Sequence, residues 1–88
     1  MILPGAPRLA RHQGELRFDG HSLDALARRF GTPLYVYSRG AMLDALAAYQ
    51  RALVGRPHLI CYAMKANSTL AVLQTFAQAD CGFDIVSV

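Results

Sequence analysis

Long apolar runs are absent from this 88-residue sequence. The longest uninterrupted one, Leu59 to Met64, is far shorter than the ~18 residues that a membrane-spanning helix needs. The opening residues, Met1 to Gly5, contain no apolar core of signal-peptide length. The sequence therefore predicts neither a membrane segment nor a secretory leader, and the cytoplasm is the expected location.

Clusters that bind nucleic acids, nucleotides or metal ions are missing too. Nine basic and six acidic residues give a net charge of +3, but the basic residues are scattered, which argues against a nucleic-acid partner. Cys61 and Cys81 are too far apart for a CxxC pair and the histidines show no ligand spacing, so no metal site is expected. No GxGxxG or Walker-type loop supports nucleotide binding.

Apolar residues, in contrast, make up 53% of the sequence, a large share for so short a chain to bury. Two interpretations are open: a tight small domain, or a piece of a larger protein. Residues 85–88 continue an apolar, β-branched run with no turn after it. This ending favours the second interpretation.

The first part of the chain predicts a small β-structure followed by a short helix. Residues 1–13 are predicted to be irregular, and residues 15–18 to form a strand that enters a hairpin turn at the next two residues, Asp-Gly. Ser22 is typical of a helix N-cap and Gly31 of the glycine that ends a helix. The apolar spacing between them predicts a short amphipathic helix.

Strands and helices alternate from residue 34 onwards. The predicted strands are 34–37, 58–63 and 83–88, and the predicted helices are 39–53 and 69–79. The middle strand is apolar without alternation, which is typical of a strand covered on both faces in a parallel sheet. This βαβαβ order predicts parallel pairing, and it leaves a doubly wound sheet and a (β/α)8 barrel open.

Two residues of this region are candidates for chemistry. Lys65 is the only lysine of the sequence and directly follows the apolar strand, at the end where α/β folds place their active sites. A lysine amine is the nucleophile that attacks carbonyl groups, although an ordinary lysine with its head in water is the alternative on position alone. Asp84 lies between apolar residues of the next predicted strand, where a carboxylate needs a partner, a solvent edge or a site.

The run from Tyr62 to Asn67 closely resembles the YAxKAN signature of the alanine racemase-like pyridoxal-phosphate (PLP) enzymes. That family includes the diaminopimelate, ornithine and arginine decarboxylases. Three more segments, residues 30–38, 68–73 and 82–87, resemble the diaminopimelate branch of the family. The resemblance is specific, because four separate segments match in the right order.

This resemblance implies that Lys65 holds PLP covalently, that Ala63 is a small residue on the strand beneath the cofactor ring, and that Asp84 lines the cofactor pocket. It implies an α/β fold, the beginning of a PLP-binding (β/α)8 TIM barrel preceded by N-terminal strands that belong to a β-domain. Residues 1–37 would contribute to the β-domain. Residues 38–88 would form the first βα units of a barrel that is incomplete in this chain.

The resemblance also implies an activity, the PLP-dependent decarboxylation of meso-2,6-diaminopimelate to L-lysine. The chain would need the remainder of the same polypeptide, and the intact protein would be a cytoplasmic homodimer acting on a small amino-acid substrate, with no nucleic-acid or membrane partner. One alternative is an ornithine- or arginine-type decarboxylase or an amino-acid racemase. Others are a non-catalytic regulatory homologue that binds PLP without turnover, and a small binding module.

Overall fold

The computed structural model describes residues 2–3 and 6–85, with side chains described from residue 8 onwards. The chain divides into two compact units, residues 1–38 and 39–88. Assignment of residues 1–37 to a β-domain and of residues 38–88 to a barrel stays a prediction, because the division rests on contacts within this chain alone.

An antiparallel sheet and one helix build the first unit. Its described strands, in their order across the sheet, are β1 (Ile2–Leu3), β2 (Ala6–His12), β3 (Glu15–Phe18) and β4 (His21–Ser22). Leu9 of β2 lies opposite Phe18 of β3, so two apolar residues pair across the strands. Such cross-strand pairs are a main source of sheet stability.

Two tight turns set the register of this sheet. Gln13 and Gly14 between β2 and β3 have φ values of 50° and 78°, and Asp19 and Gly20 between β3 and β4 have φ values of 52° and 82°. Two consecutive positive φ angles are what the favoured two-residue hairpin turn requires. The predicted Asp-Gly turn is confirmed. The prediction that residues 1–13 are irregular is wrong, because the Gln13-Gly14 turn brings β2 alongside β3.

Helix α1 (Leu23–Phe30) has the bounds and the caps that the sequence predicts. The Ser22 Oγ accepts a hydrogen bond from the Ala25 N–H at 3.1 Å. At the other end, the Gly31 N–H donates to the Ala27 carbonyl at 2.8 Å. Both bonds satisfy backbone groups that a helix end otherwise leaves without a partner.

The predicted strand at residues 34–37 is wrong for this structure, since it belongs to neither sheet in the described part of the chain. Its apolar residues are largely solvent-exposed, and the side chain of Tyr35 is 89% exposed. The local preference for strand is present in the sequence, but a strand also needs a backbone partner, and no described strand supplies one.

Asp19 ties the hairpin to the end of the first unit. Its Oδ2 accepts a hydrogen bond from the Ser38 hydroxyl at 2.7 Å, and its Oδ1 accepts one from the Arg8 guanidinium at 2.8 Å. The Asp19 N–H also donates to the Arg8 carbonyl at 2.8 Å. The Ser38 hydroxyl and the Arg8 guanidinium hold the pKa of Asp19 below its ordinary value of 3.8.

The second unit contains a parallel β-strand pair connected through a helix. Its elements are α2 (Arg39–Ala52), β5 (Cys61–Ala63), a short 3-10 turn (Met64–Ala66), α3 (Leu70–Gln78) and β6 (Gly82–Asp84). Strands β5 and β6 are parallel, as predicted, with Cys61 opposite Gly82. Both strands are shorter than predicted, because backbone pairing covers only part of each predicted range. Residues 86–88 of the predicted strand 83–88 lie outside the described residues.

Contacts between α2, α3 and the strands form the core of the second unit. Leu46 of α2 is buried together with Val72 and Phe76 of α3 and with Cys81, which precedes β6. The Gln50 side chain of α2 donates to the Ala79 carbonyl just beyond α3 at 3.2 Å. These contacts fix α3 against the sheet and so position the end of β5. Within the described residues, no helix is both long and apolar enough to cross a membrane.

Candidate functional site

Lys65 lies directly beyond the C-terminal end of β5, in the middle of the 3-10 turn Met64–Ala66. The residue is exposed, and its ammonium group forms no hydrogen bond or ion pair with any residue that the structure describes. Active sites of α/β folds lie at this end of parallel strands. The structure therefore places an accessible primary amine where the sequence predicts the reactive lysine.

Ala63 and Asp84 are brought together at the same edge of the strand pair. Ala63 is the last residue of β5, and its register partner on β6 is Asp84. Side chains of register partners project from the same face of a sheet. Asp84 is exposed, and its carboxylate forms no hydrogen bond or ion pair with the described residues, Lys65 included. The three predicted site residues thus share one edge, although Lys65 and Asp84 form no ion pair with each other.

Tyr62 is a residue of this region that the site prediction did not include. Its hydroxyl donates a hydrogen bond to the Asn67 carbonyl at 2.8 Å, across the turn that carries Lys65. Its ring stacks on the Phe76 ring of α3, with the ring centroids 4.5 Å apart. A tyrosine three residues before the candidate lysine was the available sequence signal, but its hydrogen-bond acceptor is a backbone atom that the sequence does not reveal.

Asn67 connects the turn to helix α3. Its Oδ1 accepts a hydrogen bond from the Thr69 N–H at 2.9 Å, and Thr69 is the N-cap residue of α3. The Thr69 side chain itself forms no capping hydrogen bond, so the Asn67 bond is the side-chain contact that leads into the helix. Asparagine side chains often accept a hydrogen bond from the backbone N–H two residues later. Here this bond leads the chain from the 3-10 turn into α3.

Cys81 does not add a nucleophile to the site. Cys81 is buried in the core, and this burial raises the pKa of its thiol. Its Sγ donates to the Ile60 carbonyl at 3.3 Å. A buried thiol of this kind is unreactive, because the thiolate is the nucleophilic form. Among the described residues, no group of three or more potential metal ligands is present.

An apolar groove of about 440 Å³ also lies in the second unit. Its lining includes Met42 and Tyr49 of α2 and Phe76 of α3. Neither Lys65 nor Asp84 contributes to this lining. Ala63 does contribute to it, so the groove reaches the candidate site at the end of β5.

The residues at this edge fit PLP. Lys65 offers the primary amine that the cofactor aldehyde requires, and Ala63 leaves room for a flat ring beside the strand end. Asp84 supplies a carboxylate that complements positive charge on a lysine or a ring. No glycine-rich loop for the cofactor phosphate is recognisable among the residues that the structure describes.

Comparison with known proteins gives matches for both units. Residues 39–88 match the family model described as pyridoxal-dependent decarboxylase, pyridoxal binding domain. The diaminopimelate decarboxylase of Pseudomonas fluorescens is 53% identical over 74 residues, which cover 84% of this chain and 18% of that protein. The diaminopimelate decarboxylase of Vibrio cholerae is 49% identical over 78 residues, which cover 89% of this chain and 19% of that protein. The chain spans about a fifth of the length of these relatives.

Solved structures resemble the chain over nearly its whole length. The crystal structure of diaminopimelate decarboxylase from M. jannaschii has a TM-score of 0.90 at 33% identity, over 97% of this chain and 21% of that chain. The crystal structure of AQ1208 from Aquifex aeolicus has a TM-score of 0.86 at 43% identity, over 92% of this chain and 20% of that chain. This likeness confirms the predicted α/β class, with the start of a PLP-binding barrel rather than of a doubly wound sheet.

Proposed function

The chain belongs to the family of pyridoxal-dependent decarboxylases, and we propose that the whole protein uses PLP to decarboxylate meso-2,6-diaminopimelate to L-lysine, the last step of lysine biosynthesis. One observation carries this proposal: the exposed Lys65 amine lies at the C-terminal end of β5, inside the segment that matches the pyridoxal binding domain. The choice of substrate rests on the relatives, which are named diaminopimelate decarboxylase.

Lys65, Ala63 and Asp84 have distinct roles in this proposal. Lys65 would hold the cofactor through Nζ, its only nucleophilic atom. The side chain of Ala63 is small enough to leave space for the cofactor ring beside the end of β5. Asp84, opposite Ala63, orients the ring or the lysine ammonium through its negative charge.

PLP, when bound, delocalises the electron pair that the α-carbon retains after loss of its carboxylate. Among the described residues of the candidate edge, Lys65 is the basic side chain, and its flexible stem would let the amine move relative to a bound cofactor. The carboxylate of Asp84 stays on the neighbouring strand throughout, at a position that the β5–β6 ladder fixes.

The proposed protein is a cytoplasmic homodimer whose remaining residues complete the barrel, the β-domain and the phosphate site. Its substrate is a small amino acid with charged groups at both ends. These groups must be recognised by residues outside this chain, because the described edge offers only Lys65 and Asp84 as charged side chains.

The test is steady-state decarboxylation by the full-length protein with diaminopimelate, ornithine, arginine and lysine in parallel. We expect the highest kcat/KM for diaminopimelate, because a site that bonds both distal groups rejects analogues that leave its own polar groups unpaired. A higher kcat/KM with ornithine or arginine would assign the protein to those decarboxylases. Racemisation without release of CO2 would favour a racemase, and bound PLP without any turnover would favour a non-catalytic homologue.

A further inference from the structure

We infer that Tyr62 is a positioning residue for Lys65: its hydroxyl holds closed the turn that carries the lysine, and its ring fixes that turn to helix α3. This inference rests on the proposed role of Lys65 as the residue that holds PLP. It concerns the backbone of the turn, because Tyr62 touches neither the lysine ammonium nor the carboxylate of Asp84 through any hydrogen bond in the described structure.

The hydrogen bond of Tyr62 encloses Lys65 in a short loop of the chain. The hydroxyl of Tyr62 lies 2.8 Å from the carbonyl oxygen of Asn67, and Lys65 lies between the two residues in sequence. A 3-10 turn alone is weakly held, because its hydrogen-bond geometry is poorer than that of an α-helix. The side-chain bond adds a second connection across the same residues, so the backbone at Lys65 has fewer ways to move.

The ring of Tyr62 is itself anchored. It stacks on Phe76 with an interplanar angle of 28°, and Phe76 is buried in the core with Leu46 and Val72. Tyrosine has few rotatable bonds, so a stacked ring holds its hydroxyl in a defined place. The core of the second unit thereby sets the position of the Asn67 carbonyl, and with it the end of the Lys65 turn.

Strand alternation separates Tyr62 from the candidate site. Successive side chains of a strand project to opposite faces, so Tyr62 faces α3 while Ala63 lies with Asp84 on the other face. Tyr62 therefore acts from behind the strand. This arrangement leaves the site face free for the cofactor and still controls the residue that follows β5.

Lys65 depends on such control because no hydrogen bond or ion pair to a described residue restrains its side chain. The ammonium has no partner in the described structure, and its stem carries several rotatable bonds. The backbone position of the turn then determines which positions the Lys65 amine can reach. A displacement of about 1 Å in such a group is enough to slow a reaction strongly.

The experiment measures attachment of PLP to Lys65 in the full-length apo-protein, without substrate. PLP is added, the linkage is reduced with borohydride after increasing times, and mass spectrometry quantifies the pyridoxyl label on the Lys65 peptide. Tyr62→Phe keeps the ring and removes only the hydroxyl. Loss of one ordinary hydrogen bond predicts attachment about fivefold slower than in wild type.

Thr75→Val is the matched control. The Thr75 hydroxyl donates to the Ala71 carbonyl at 2.8 Å, a bond of the same length in the same unit, but it lies within α3 and does not cross the Lys65 turn. We expect Thr75→Val to change the Tm by a similar amount while PLP attaches at the wild-type rate. A purely structural role of Tyr62 would make the two variants behave alike in both measurements.

Each outcome decides a different point. Slower attachment in Tyr62→Phe alone supports the inference. Wild-type rates in Tyr62→Phe, or equal slowing in both variants, overturn it and leave the proposed function standing. A wild-type protein without label on Lys65 overturns the role of Lys65 and the inference together. If Tyr62→Phe does not fold, amide hydrogen exchange in the wild-type apo-protein decides: protection of residues 64–67 supports the inference, and exchange as fast as in an unstructured peptide overturns it.

Discussion

Ala63 and Asp84 lie directly opposite each other, as register partners at the C-terminal ends of two parallel strands. The pairing puts the methyl group of Ala63 beside the carboxylate of Asp84. Ala63 lies two residues before Lys65, the middle residue of the 3-10 turn. A small residue, an acid and an amine at one edge are the features that a carbonyl-bearing cofactor requires, and each of the three can be tested separately.

Lys65 is expected to carry the cofactor in the full-length protein. Borohydride reduction followed by peptide mapping should place the pyridoxyl group on Lys65, and Lys65→Ala should remove both the label and nearly all turnover. Lys65→Arg keeps the charge but cannot form the linkage, so it should behave like the alanine variant. Because Lys65 is exposed, neither change should lower the Tm noticeably. A label on another lysine would contradict the assignment.

Asp84→Asn is expected to weaken PLP binding by roughly 10-fold, because it removes a charged partner at the site. Equilibrium dialysis of PLP against the full-length apo-protein measures this change. Asp80→Asn is the control, since Asp80 is exposed in the connection before β6 and is not paired with β5. Equal affinities of the two variants for PLP would show that Asp84 does not contact the cofactor.

Gly82→Ala is expected to destabilise the second unit, because the structure leaves little space for a Cβ at residue 82. A Cβ at residue 82 would lie 2.9 Å from the Sγ of Cys61 and 3.4 Å from the Cδ2 of Leu59. Because Cys61 is exposed, its Sγ can rotate aside, so the expected cost is about 1 kcal/mol, the lower end for overpacking. Denaturant unfolding of Gly82→Ala, Cys61→Ala and the double variant should show a smaller total cost than the sum of the single changes. Additive costs would mean that Cys61 is not the obstacle.

Asp19→Asn is expected to lower the Tm at neutral pH and to matter less in acid. The folded state holds the pKa of Asp19 below 3.8, so its carboxylate stabilises the fold above that pH. This contribution is lost as the pH falls through the lowered pKa, because the folded state then binds the proton too. Thermal melts between about pH 7 and about pH 3 should show the Tm gap between variant and wild type closing.

Asp24→Asn is the control for the Asp19 experiment. Asp24 pairs with Arg28 at 3.2 Å, but both side chains are about 70% exposed, and exposed pairs contribute little. Its effect on the Tm should be smaller at every pH. A Tm gap for Asp19→Asn that does not change with pH would contradict the role of the carboxylate charge.

The isolated 88-residue chain is expected to melt without cooperativity, to aggregate and to decarboxylate nothing. Few of the described apolar side chains are buried, and Tyr35, Tyr49, Val54 and Leu70 are each more than 60% exposed. Such a core is too small to offset the entropy of folding. Circular dichroism melts and analytical ultracentrifugation measure these properties. A sharp transition of a soluble monomer would favour the small binding module.

The helices were predictable from the sequence because their signals are local. Ser22 and Gly31 mark the ends of α1, and the apolar spacing gives α2 to within one residue. The order of strands and helices was enough to predict the parallel pair β5–β6. The position of Lys65 at the end of a strand followed from the same local pattern.

The errors concern structure that depends on distant partners. Residues 34–37 have strand-forming side chains, but no described strand pairs with them. Strand β2 was missed because Pro7 and the basic residues interrupt its apolar pattern, whereas its stability comes from pairing with β3. The bond from Tyr62 to Asn67 was missed for a related reason, since the location of a backbone acceptor is known only once the turn has formed.

The length of the connection between α3 and β6 is constrained, so insertions and deletions in it have a structural cost. The Cys81 N–H donates to the Phe76 carbonyl and the Gly82 N–H to the Ile60 carbonyl, so the connection is held at both ends. Adding or removing one residue there would shift β6 by one position, and every side chain of the strand would move to the opposite face. Asp84 would then point toward the helices. Variation in the length of this segment should therefore be tolerated in steps of two residues more readily than in steps of one.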